Sequence, residues 1–144
     1  MAITNVSSLN RSMEKTQVWL KDLVEIGHLE TETQAYSLLR AVLHTLRDYL
    51  TVDEAVNLAA QLPLVLRGTF YETWKPSRVP LPIHKTEEFL EHVRQETRHS
   101  SPVDPMHAFR SVATLLDRKI SAGEMSDVHH MVPKEIRNLW PSNN

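Results

Sequence analysis

The sequence predicts an all-α fold, a single domain of two pseudo-repeated helical bundles of about four helices each. Three observations lead there. Apolar residues recur at intervals of three and four, the helical period. Only 3 glycines occur in 144 residues, and the 8 prolines cluster at a few places. The chain also matches itself without a gap at an offset of 70 residues, the distance from Pro63 to Pro133. One domain over 1–144 is expected, with sub-repeats at about 12–71 and 84–141 joined by a proline-rich strap at 72–83.

The first predicted helix runs from near Ser12 to Ile26 and carries Trp19, Leu20 and Leu23. The second, from about Thr33 to Leu50, is the clearest. Its Ala35, Leu38, Leu39, Val42, Leu43, Leu46, Tyr49 and Leu50 form one wide stripe that must be buried. Thr51 then opens Thr-Val-Asp-Glu, a capping box in which the Thr51 hydroxyl accepts from the Glu54 amide and the Glu54 carboxylate accepts from the Thr51 amide. The third helix starts there, with small residues Ala55 and Ala59 suited to close approach of a neighbouring backbone. Pro63 interrupts it, and a short fourth helix follows from about Leu64 to Tyr71.

The second half repeats these roles. Trp19 falls on Phe89, Leu23 on Val93, Arg40 on Arg110, Leu46 on Leu116, Pro63 on Pro133, Arg67 on Arg137 and Phe70 on Trp140. Its first helix is expected from Thr86 to His99. Asp104 followed by Pro105 reads as an N-cap and a proline at the first helical position of its second helix. Ser121 and Glu124 reproduce the capping box of Thr51 and Glu54. Between the halves, the three prolines of the strap favour an extended path, and its aromatic and aliphatic residues suit packing against the helices. The ends before Ser12 and after Trp140 are polar enough to fray.

Composition narrows the function classes. The chain has no cysteine, which removes disulfides, thiolate metal sites and cysteine nucleophiles and fits a reducing compartment. The first residues lack the basic start and apolar run of a secretory signal, and no apolar stretch approaches the roughly 20 residues that cross a bilayer. A cytoplasmic, non-membrane protein is expected. A net charge of −2 makes nucleic acid a disfavoured partner.

The run from Leu50 to Pro80 holds Glu54-Ala55, Leu58-Ala59-Ala60-Gln61-Leu62-Pro63, Leu66-Arg67-Gly68 and Tyr71-Glu72 with Trp74 and Pro76. It resembles the signature of a bacterial family known as domain of unknown function 2267, and the pattern extends more weakly across most of the chain. The resemblance implies an α-helical bacterial protein with no established activity, and it supplies no catalytic residues.

Candidate sites divide between chemistry and architecture. Six of the eight histidines (His84, His92, His99, His107, His129 and His130) lie in the second half, which raises a small-ligand or metal-binding alternative. Their spacing argues against one shared ion, because His92 and His99 lie about 10 Å apart along a helix and His129 and His130 diverge. His129 stands where the first half has Ala59, so a place in the core or at the seam between halves is the preferred reading. The repeated pairs Glu54/Arg67 and Glu124/Arg137 could serve as a duplicated acid and anion clamp, but the structural reading is preferred: Glu54 and Glu124 as caps, and Arg67 and Arg137 as partners for carbonyls at a helix end or for an acidic neighbour. Tyr71, Trp74, Lys75 and Arg78 form the one mixed aromatic and basic cluster, a composition found where partners dock. Tyr71, Trp74 and Arg78, together with Arg67, are the candidate binding residues.

No Gly-x-Ser-x-Gly turn, phosphate-cradling glycine loop or His-Glu-x-x-His occurs. The reading is therefore a non-catalytic interaction or scaffold module with no cofactor and no metal. Its partner is an unknown protein or a second copy of itself, contacted through the strap and the seam. A weak nucleic-acid binder is the remaining alternative.

Overall fold

The computed structural model describes residues 2–99 and 103–141, and these form eight α-helices with no strand among the described residues. They are α1 (Ser7–Gly27), α2 (Glu32–Asp48), α3 (Val52–Ala59), α4 (Leu64–Tyr71), α5 (Thr86–Thr97), α6 (Pro105–Lys119), α7 (Ala122–Met131) and α8 (Lys134–Arg137). A short 3-10 turn, Pro76–Arg78, interrupts the strap. The all-helical expectation is met.

Helix boundaries follow local chemistry. α1 ends because His28 adopts the left-handed conformation, φ 52° and ψ 46°, which lets Leu29 N donate back to Val24 O at 2.9 Å. Thr31 starts α2, its hydroxyl accepting from Gln34 N at 3.0 Å. Asp104 caps α6 by accepting from His107 N at 3.1 Å, with Pro105 at the first helical position. α1 begins at Ser7, earlier than the expected Ser12. The segment before it is tied down by Asn10, whose Oδ1 accepts from Thr4 N at 3.1 Å and whose Nδ2 donates to Thr4 O at 2.6 Å. The predicted frayed N-terminal end is thus ordered through side-chain hydrogen bonds. On the other side, residues 142–144 of the expected C-terminal tail lie outside the described residues.

Two helices form the centre. α2 packs against α1, α4, α5 and α6, and from Ala41 to Arg47 every residue is buried, so this stretch is enclosed on all sides. α6 packs against α1, α2, α5 and α7. The most extensive pairings are α1 with α6 and α2 with α5, so helices before the strap seal their apolar faces on helices after it. One connected core results, reaching from Trp19 to Trp140 and including Leu46 and Leu116. Edge-on aromatic contacts run through it: Tyr49 to Phe89 at 5.7 Å, Phe89 to Phe109 at 5.2 Å and Phe109 to Trp140 at 5.4 Å between ring centres.

The strap crosses this core. Leu81 N donates to Asp48 O at 2.8 Å, at the end of α2, and Trp74, Leu81 and Ile83 pack partly buried against the core. Lys75, Pro76, Ser77 and Arg78 stand exposed.

Candidate functional site

The candidate binding residues do not converge. Arg67, on α4, donates from Nε to Ala59 O at 3.2 Å and from Nη2 to Leu62 O at 3.1 Å, satisfying carbonyls where α3 ends. Arg137 makes the corresponding bonds after α7, from Nη2 to His130 O at 3.2 Å and Val132 O at 3.0 Å. Tyr71 and Trp74 pair at 5.4 Å between ring centres, half-buried on the core. The Trp74 indole N–H is buried without a hydrogen-bond partner among the described residues. Arg78 ends the 3-10 turn and, with Lys75 and Asp48, lines a separate depression of about 220 Å³.

The four capping residues differ between the halves. Thr51 and Glu54 form the reciprocal box, with Glu54 N donating to Thr51 Oγ1 at 3.2 Å and Thr51 N to Glu54 Oε1 at 2.9 Å. Ser121 accepts from Glu124 N at 3.4 Å, and its own hydroxyl donates to Glu124 Oε2 at 3.2 Å. The Glu124 carboxylate turns toward Gln61 instead of returning to the Ser121 amide. With its amide nitrogen facing Glu124, Gln61 donates to Oε2 at 2.5 Å. A charge-assisted bond from the turn after α3 to α7 replaces half of the expected box.

The second-half histidines have separate roles. His92 Nδ1 accepts from the Tyr49 hydroxyl, whose pKa burial raises to about 12, with the Glu88 and Asp48 charges adding to the effect. His107 donates from Nε2 to Gly27 O at 2.8 Å, tying α6 to the end of α1, and His130 donates from Nδ1 to Ser126 O at 2.7 Å. His129 lies half-buried between Asp117, 3.4 Å from Nε2, and the Trp140 ring, 4.8 Å between centres. Trp140 Nε1 donates to the other Asp117 oxygen at 3.0 Å. Among the described residues no three His, Asp or Glu side chains gather around a point that would hold an ion.

Two features escaped the sequence reading. The first is a buried polar pair on α2. Arg47, 3% exposed, donates from Nη1 to Phe70 O at 2.8 Å and Glu72 O at 2.7 Å, and from Nε to Asp48 Oδ1 at 2.9 Å. His44 meets Thr69 O at 2.6 Å, and burial holds its pKa below the ordinary histidine value. The available signal was polar residues within a helix whose neighbours are apolar on every side. The second is an apolar face on the opening turns of α1. Val6, Leu9 and Met13 are 49%, 43% and 40% exposed. Beside them runs a groove of about 340 Å³, lined by Ile3, Met13 and Leu20 and bordered by Glu14 and Glu32. Glu32 Oε1 is buried there without a hydrogen-bond partner among the described residues. The spacing of Val6, Leu9 and Met13 was visible in the chain, but only the fold shows that no described helix covers them.

Fold and surface together define an all-helical protein in which buried Arg47 and His44 bond carbonyls at the end of α4. The chain belongs to the family described as uncharacterized conserved protein DUF2267, which residues 16–139 match. No curated protein matches it.

Proposed function

We propose that this chain is a non-catalytic interaction module of the bacterial cytoplasm, and that its docking face is the apolar side of α1. The observation supporting this reading is the exposed Val6, Leu9 and Met13 beside a groove that contains the unpartnered Glu32 carboxylate oxygen. Contiguous apolar surface of this kind marks interaction sites. The occupant is an amphipathic helix of a partner protein that carries a lysine or arginine. Its apolar face covers the stripe, and its cation supplies the donor that Glu32 lacks, removing a penalty of about 1–3 kcal/mol. In this reading the contact lies on α1 rather than on Tyr71, at the end of α4, or Trp74 of the strap, both of which pack against the core.

The test is a selection of displayed amphipathic helical peptides on the intact chain, with matched pools carrying lysine or glutamate at the position facing Glu32. Enrichment of the lysine pool, lost with Leu9→Asp and Glu32→Gln, supports the reading. Equal enrichment of both pools, or binding indifferent to Leu9→Asp, overturns it. Self-association by sedimentation that Leu9→Asp abolishes would instead assign the face to a second copy.

The same reading includes duplication of one helical unit within a single cooperative domain. It is supported by the 70-residue offset between Pro63 and Pro133, by the parallel order of α1–α4 and α5–α8, and by the reciprocal packing of α1 on α6 and α5 on α2. Leu46→Ala and Leu116→Ala should each lower stability by about 2–5 kcal/mol while preserving one unfolding transition. Two transitions, each answering to only one substitution, would mean independent halves.

A further inference from the structure

A second cavity, of about 390 Å³, lies between the opening turns of α1 and the start of α4. Arg11, Lys15 and Arg67 line it, together with the hydroxyl-bearing Ser8 and Ser12, and no acidic residue does. None of the three cations forms an ion pair among the described residues, although the chain as a whole is acidic. Arg67 is held in place by its bonds to Ala59 O and Leu62 O, which leave Nη1 without a protein acceptor among the described residues. Ser12 Oγ is buried and has no hydrogen-bond partner there. α4 starts behind Pro63 with no side-chain cap, so its first amides also lack an acceptor within the helix.

We propose that this cavity binds the phosphate group of a small molecule, held by Arg11, Lys15 and Arg67 with the Ser12 hydroxyl as a further donor. Three unpaired cations suit a dianion, and the guanidinium groups present paired N–H donors to phosphate oxygens. The α4 N-terminus adds a favourable partial positive charge at the same place. Position sets this cavity apart from its counterpart in the second half, where Leu81 and Pro82 replace Arg11 and Ser12. The site is independent of the apolar docking face, which occupies another side of α1.

Calorimetric titration of the full chain with inorganic phosphate, and separately with glycerol phosphate, tests the proposal at fixed ionic strength. Saturable binding of one anion per chain is expected, weakened at least tenfold in the double variant Arg11→Glu, Lys15→Glu. Both side chains are exposed, so the helical signal and the melting midpoint without phosphate should be preserved. Tighter binding of glycerol phosphate assigns the site to organic phosphates, and the reverse order assigns it to the free anion. Should the double variant fail to fold, amide shifts in the unaltered chain decide. Shifts on phosphate addition confined to α1 and the first turn of α4, and reduced in Ser12→Ala, support the site. Absence of saturation, binding unaffected by the double variant, shifts spread elsewhere, or an equal response to acetate would overturn it.

Discussion

Arg47 reaches from α2 to the end of α4, where its Nη1 donates to the Phe70 carbonyl at 2.8 Å. A second bond from the same nitrogen reaches Glu72 O, so one buried guanidinium closes a helix end that has no glycine or side-chain cap of its own. Arg47→Met keeps the aliphatic stem but leaves both carbonyls without this donor. Unfolding in urea should show a loss of about 3 kcal/mol. A loss under about 0.5 kcal/mol would show that water replaces the clamp at no cost.

His44, one turn earlier, gives a pH signature. Burial lowers its pKa first, and the positive charges of Arg47 and Arg40 act in the same direction; the Thr69 carbonyl and Glu96 oppose them. The folded chain therefore holds a neutral ring that donates from Nε2. Above the ordinary histidine value of about 6.5 this stabilisation is fully present. As pH falls below it, the unfolded chain takes up a proton that the folded chain refuses, and stability drops until the lower folded value is passed. The advantage of the native chain over His44→Gln should shrink between pH 7.5 and 5. An advantage constant across that range would contradict the neutral, buried assignment.

The caps should respond unequally. Thr51→Ala is expected to cost about 1 kcal/mol, and Glu54→Ala about 0.5 kcal/mol, since each removes one bond of the reciprocal pair. Glu124→Ala acts mainly through Gln61, so its cost should fall sharply in a Gln61→Ala background. Additive losses in that double-mutant cycle would return Glu124 to a purely local role.

Gly68 sits exposed within α4, and a methyl group added there meets nothing within 4 Å. Gly68→Ala should therefore stabilise the chain by about 0.5–1 kcal/mol, through the conformational freedom that glycine retains when unfolded. A lower melting temperature would reveal a backbone requirement at this position.

Much of the helical order was legible because its signals are local. Thr51 with Glu54, Asp104 with Pro105, and Pro63 before Leu64 each fix a boundary through bonds made within a few residues. α1 starts earlier than its apolar period predicts because Val6, Leu9 and Met13 bury little, and the bonds between Asn10 and the Thr4 backbone order the segment instead. The candidate binding set was only partly legible. Tyr71 and Trp74 are ring neighbours close in sequence, whereas Arg67 and Arg78 line different cavities.

By itself the sequence determined which segments are helical, where most of them stop and which faces require burial, because period, caps and prolines act over one or two turns. Tertiary structure alone decided which buried face meets which, that Arg47 closes α4, and that Arg11, Lys15 and Arg67 border one cavity. Arg47 with Phe70, and Arg11 and Lys15 with Arg67, are each more than twenty positions apart, and apolar burial favours contact without choosing the partner. The choice is made only when the helices pack together and each must fill the space the others leave.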